Sequence, residues 1–179
     1  MPRIHYNAPS VLTFSLLAIV FCLINAEGWC AVPGRGNFSF TRPMDYFRLF
    51  THVLGHAGWP HLLGNLTFIL LLGPILEERY GTGEITFMIF ATALATGFAN
   101  ILLSPNHLVG ASGVVFMLII LASIVDFRKG TIPLSFLLIA LIFIGKEVSD
   151  ALSQDDNVSQ LAHIVGGLVG AFFGFRLKK

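Results

Sequence analysis

The stretch Gln160–Phe175 reads QLAHIVGGLVGAFFGF. It carries no Asp, Glu, Lys or Arg, and its one titratable side chain is His163. A helix needs about 20 apolar residues to cross a hydrocarbon core, and this run comes close. Gly166, Gly170 and Gly174 recur every four residues, so they form a stripe on the His163 side of the helix. Small residues at that spacing let two helix backbones approach closely within a membrane. The stretch therefore predicts a tightly packed spanning helix with a histidine on its packing face. Ionisable groups at membrane depth are costly and point to function.

The rest of the chain agrees. Of 179 residues, 55% are hydrophobic and 12% charged, and the mean hydropathy is +0.78. Soluble domains carry about 25% charged residues, so lipid rather than water must solvate this surface. A net charge of +1 supplies no basic field for nucleic acid. Six apolar runs stand out, at residues 10–26, 61–76, 84–103, 112–125, 132–148 and 160–175. In lipid each segment must satisfy its own backbone groups, so all six are predicted as helices. The expectation is an all-α, polytopic membrane bundle, with residues 1–179 as one domain. Several runs are short, which implies recessed ends or a locally thinned bilayer. The first lacks a small-residue cleavage site and is followed by further spans, so it reads as a spanning helix and not a removed signal. Cys22 and Cys30 have no zinc spacing. One lies in a span and the other in a loop close by, which disfavours a disulfide.

The connection 27–60 is the long one, and such loops in compact domains are usually functional. It is rich in Phe, Tyr and Trp and is predicted to hold short helices in the membrane interface, with Tyr46 and Trp59 as anchors. The links 77–83, 104–111, 126–131 and 149–159 are short. Arg3, Arg79, Arg128, Lys129, Arg176, Lys178 and Lys179 fall on one side of this topology, which places both termini in the cytoplasm. Arg35, Arg42 and Arg48 oppose that count, but they sit in the long loop, where the rule is weaker.

The second, fourth and sixth helices then run in the same direction. Their first turns deliver His61 and Asn65, Ser112, and His163 to one depth in the outer leaflet. A serine becomes a nucleophile beside a base, and a neutral imidazole is such a base. The Asn65 amide, a His61 ring N–H and the Ser112 backbone N–H are candidate donors to an oxyanion. No carboxylate is placed to complete a triad. Phe116 lies one turn after Ser112 and could stack on the imidazole, so the reading is a Ser112–His163 dyad. Gly110 and Gly113 flank the serine and allow a sharp turn into the helix. Gly166 allows the close approach of the sixth helix.

Blander readings stand beside these. Ser112 alone would read as a small packing residue. His52, His56 and His61 lack the Cys or carboxylate that would complete a metal site, so no metal or cofactor is expected. His52 and His56 are expected to hold the loop by hydrogen bonds, and His107 reads as a loop residue. Lys146, Glu147 and Asp150 read as snorkelling groups at the end of the fifth helix. A transporter would want an internal repeat and broken helices at the midplane, and neither is visible.

Gly110-Ala111-Ser112-Gly113 resembles the Gly-x-Ser-Gly motif of the rhomboid intramembrane serine proteases. Ala162-His163-Ile164-Val165-Gly166 resembles their Ala-His-x-x-Gly motif, and His61-Leu62-Leu63-Gly64-Asn65 their His-x-x-x-Asn oxyanion element. Phe47-Arg48 resembles part of their membrane-embedded first loop, and Glu77-Glu78-Arg79-Tyr80-Gly81 the Glu-x-Arg-x-Gly turn after the second helix. The resemblance implies a six-helix core and cleavage of transmembrane protein substrates near the outer surface of a bacterial plasma membrane. It implies loop-holding roles for Arg48 and Glu77, and substrate access past the fifth helix. Two departures are visible: Phe47 stands where the family often has Trp, and Phe116 where it often has Tyr. The family also has catalytically silent members that act as chaperones or binding proteins. Those usually lack the serine or the histidine, and both are present here.

Overall fold

The computed structural model describes residues 5–127 and 160–177, with positions 134, 137, 138, 141 and 142 between them. The predicted fifth span, 132–148, lies almost wholly outside the described residues, as do Lys146, Glu147 and Asp150. The described helices are α1 (Pro9–Leu23), α2 (Glu27–Cys30), α3 (Pro43–Thr51), α4 (Trp59–Tyr80), α5 (Thr82–Leu103), α6 (Ser112–Phe127) and α7 (Gln160–Arg176). Among the described residues the extended backbone amounts to one isolated antiparallel bridge, Val32 with Leu108. The chain is an all-α membrane bundle.

α4 and α5 have 22 residues each, about 33 Å of helix, and are long and apolar enough to cross a bilayer. α1 and α6 are apolar but shorter, at 15 and 16 residues. The helices are apolar outward and partly polar inward. α5 exposes Phe87, Phe90 and Phe98 while it buries Thr92, Thr96 and Asn100. That pattern suits a lipid-solvated surface, where polar groups find partners inside the bundle.

α6 is the central element, with Val114, Val115, Met117, Leu118 and Leu121 buried. α7 lies directly against it along the glycine stripe. A Cβ on Gly166 would overlap the Gly113 carbonyl, and one on Gly170 would lie 2.5 Å from the Met117 oxygen. One on Gly174 would lie 2.9 Å from Ile124 Cδ1. At Gly166 and Gly170 backbone meets backbone, and at Gly174 the Ile124 side chain fills the space a Cβ would need.

The link 77–83 differs from expectation. α4 runs through Pro74 to Tyr80 and α5 starts at Thr82, so Gly81, at φ +94°, is the whole connection. A left-handed φ there favours glycine. Glu77 therefore lies inside α4 and not in a turn. It is buried, and its Oε1 and Oε2 accept the N–H groups of Ser10 (2.9 Å) and Val11 (3.0 Å). Those N–H groups belong to the first turn of α1 and have no partner within that helix. The carboxylate caps them and suits the positive end of the helix dipole.

The long loop contains α2 and α3 and enters the bundle. Leu49 packs on Gly97, and the Phe50 and Phe90 rings lie 6.2 Å apart, so the loop reaches about halfway down α5. Asp45, fully buried, holds it together. It takes Arg42 (3.0 Å), Arg48 (2.9 Å) and the Ser39 N–H (2.9 Å). The aromatic Phe40, Phe47 and Trp29 are exposed and suit an interfacial position.

Candidate active site

The segment that leads into α6 is tied at several points before Ser112. Val32 and Leu108 exchange two backbone bonds of 2.9 Å. Asn100, buried on α5, donates through Nδ2 to the oxygens of Asn106 (3.0 Å) and Pro33 (3.3 Å). Gly110, at φ +123°, donates its N–H to the His52 carbonyl at 2.9 Å. The Ala111 N–H donates to His56 Nε2 at 3.4 Å.

His56 can accept there because its other nitrogen donates, Nδ1–H to the Leu54 carbonyl at 3.2 Å. That assigns the neutral Nδ1–H tautomer. Burial pushes its pKa down to about 4, and His61 adds to the depression. His52 is fully buried, and burial likewise lowers it to about 4. Its Nδ1 pairs with the Arg48 carbonyl and its Nε2 with Thr96 Oγ1, each at 3.1 Å. The two histidines expected to hold the loop thus grip the residues just before the serine.

Ser112, half-buried, opens α6, and His163, buried, lies in the first turn of α7. The two first turns touch. A Cβ on Gly113 would lie 3.2 Å from the Ala162 carbonyl, so the residue after the serine meets the residue before the histidine. The Phe116 ring stacks on His163, with centroids 4.5 Å apart and planes 15° from parallel. Gly113, Phe116 and Gly166 therefore meet at one point of the α6–α7 seam.

His61 reaches the same place from α4. A Cβ on Gly110 would lie 2.8 Å from His61 Nε2, so the ring lies flush against the turn before the serine. The Ala57 N–H donates to His61 Nδ1 at 3.4 Å, which leaves Nε2 as the protonated nitrogen of the neutral ring. The His56 and His61 rings pack edge to face at 5.0 Å. Asn65 is buried one turn further along α4 and donates Nδ2 to the His61 carbonyl at 3.1 Å.

Arg48 and Glu77 lie elsewhere. Arg48 binds α2 to α3, donating to the carbonyls of Trp29 (3.1 Å) and Gly28 (3.4 Å). Glu77 sits beneath α1, away from the serine. His107 is exposed. Among the described residues no group of His, Cys, Asp or Glu is arranged to hold a metal ion. Asn100 and Asp45 escaped the sequence reading, although both left a signal. Asn100 continues the inward Thr92 and Thr96 face of α5, and Asp45 stands three residues from both Arg42 and Arg48.

Fold and site together define an integral membrane bundle that places a helix-initial serine beside a stacked histidine on a neighbouring helix. Residues 43–179 match the family model of the Rhomboid domain, and the chain belongs to the rhomboid family. It is 28% identical over 177 residues to Rhomboid protease GlpG of Pectobacterium atrosepticum, covering 92% of this chain and 62% of that protein. It is 29% identical over 173 residues to Rhomboid protease GluP of Bacillus subtilis, covering 94% of this chain and 33% of that protein. Against Rhomboid-related protein 1 of Caenorhabditis elegans it is 31% identical over 153 residues, covering 80% and 43%. The chain thus spans between about a third and just under two thirds of the length of these relatives.

Proposed function

We propose that this protein is an intramembrane serine endopeptidase that cleaves transmembrane-helix substrates near the outer face of the membrane. Ser112 Oγ attacks the scissile carbonyl, and His163 takes its proton and later gives it to the leaving amine. The Asn65 amide, the His61 Nε2–H and the Ser112 backbone N–H steady the oxyanion, where losing one donor costs roughly 100- to 1000-fold in rate. The observation that carries this reading is the Phe116–His163 stack beside the Gly113–Ala162 contact, which holds an imidazole at the mouth of the serine's helix. The ring of Phe116 takes the orienting role that an acid plays in a triad.

Two rhomboid proteases among the relatives support the chemistry. The reading calls for no metal or cofactor. We place the protein in a bacterial plasma membrane with both termini cytoplasmic, and read residues 1–179 as one domain, since α1 is capped by a residue of α4. Ser112→Ala and His163→Ala should each abolish cleavage of a model transmembrane substrate in vesicles while the fold survives. Full activity in either variant refutes the assignment. A silent chaperone of the same fold would leave Ser112 unlabelled by a fluorophosphonate probe.

A further inference from the structure

A cavity of about 360 Å³ lies away from the serine, between α1, α5 and the embedded loop. α1 and α5 begin at the same end of the bundle, because Ser10 Oγ donates to the Thr82 carbonyl at 2.9 Å. They run upward side by side and leave a slot. Phe14 and Leu17 form one wall, Ile89 and Ala93 the other, and Phe50, Val53 and Leu54 close the top. Leu17, Phe50 and Phe90 are exposed at its mouth, on the surface that faces lipid.

Three features of the slot match one ligand. Its depth along α5, from Thr82 to Ala93, is about 16 Å, which is close to one leaflet of a hydrocarbon core of about 30 Å. Its polarity is graded: Ser10, Thr13, Thr82 and Thr86 gather at the open end, and the remainder is apolar. Three of those hydroxyls are already engaged: Ser10 and Thr86 pair with each other and with the Thr82 main-chain carbonyl, and Thr13 pairs with Tyr6. Water in the apolar part would have no partners, and an apolar cavity without a ligand stays dry and loses its dispersion contacts.

We propose that the slot binds one acyl chain of a glycerolipid from the leaflet in which α1 and α5 begin. The ester region rests at the hydroxyl rim, and the chain end reaches the underside of the embedded loop at Val53 and Leu54. Those two residues lie between His52 and His56, so the lipid chain props the segment that grips the loop before Ser112.

The test uses the full chain in dioleoylphosphatidylcholine vesicles doped with a phosphatidylcholine that carries a diazirine near the end of one acyl chain. After irradiation the adducts are mapped by mass spectrometry. Val53 and Ala93 are buried, whereas Leu70, Leu71 and Ile75 of α4 are exposed, so lipid passing the surface would mark only the second group. Adducts several-fold enriched on Val53, Leu54 and Ala93 over the α4 residues are expected. Labelling that simply follows exposure overturns the proposal, and this result needs no variant. Ala93→Phe should fill the slot and remove the roof adducts while α4 labelling persists. Roof adducts that survive in that variant, or that a transmembrane substrate peptide displaces, also overturn it.

Discussion

Two places in this bundle face the same physical problem and answer it differently. At the foot of α1, the N–H groups of Ser10 and Val11 are taken by the Glu77 carboxylate. At the head of α6, the N–H groups of Gly110 and Ala111 are taken by the His52 carbonyl and the His56 ring. Each pair would otherwise sit unsatisfied in a medium without water. The foot uses a charged acceptor, which binds strongly and suits the helix dipole. The head, beside the proposed reaction centre, uses neutral acceptors and so adds no fixed charge next to His163. Strength is placed far from the proposed reaction centre, and electrostatic quiet beside it.

The contrast can be broken most severely at the foot. Glu77→Ala should leave two buried N–H groups without acceptors and cost roughly 3–5 kcal/mol, read as a lowered midpoint of thermal unfolding in micelles. Glu77→Gln, which keeps one acceptor oxygen, should lose clearly less. Equal losses in the two variants would show that shape and not acceptance matters there.

Acid should act on the head. His52 and His56 titrate near 4 in place, against 6.5 when free in water. Between those values the released segment binds more protons than the docked one, so stability rises with pH. The contribution is complete above about 6.5 and drains away as pH falls toward 4, by up to roughly 3 kcal/mol per histidine. Hydrogen exchange at Gly110 and Ala111 should therefore quicken over that window relative to the intrinsic rate. An unchanged protection there would remove the histidines from the docking.

A smaller effect is expected from His56→Leu, which deletes the acceptor for Ala111. The turnover of a model substrate should fall about tenfold, in keeping with one buried donor left unpaired, and His56→Gln should recover most of it. A Leu variant with wild-type turnover would make the ring a spacer. Smallest of all, Thr96→Val takes one partner from His52 and should lower stability by about 1 kcal/mol, read from the unfolding midpoint. A loss as large as that of Glu77→Ala would put the weight of the docking on α5 instead.

Much of this was legible from residues alone. The glycine stripe of α7 announced a backbone contact, and its partner turned out to be α6. The meeting of the Ser112 and His163 turns was readable because polar groups stand out against apolar runs, and the stack on His163 because Phe116 lies one turn from the serine. The end of α4 was not legible. Glu77 and Arg79 resemble loop residues by composition, yet helix continued through them because the carboxylate had a distant use at α1. Long-range pairing of that kind leaves no periodicity to read. The tautomers of His56 and His61 were equally hidden, since each depends on which backbone group comes within reach.

The contact between Gly166 and Gly113 has a mechanical corollary. Two helices whose main chains touch, with no side chain between them, have nothing compliant to compress or rotate at the point of contact. α6 and α7 must travel as a single stiff rod pair, which keeps serine and histidine in register during any breathing of the bundle. For the proposed protease, this contact is therefore a fixed wall of the site and not a door.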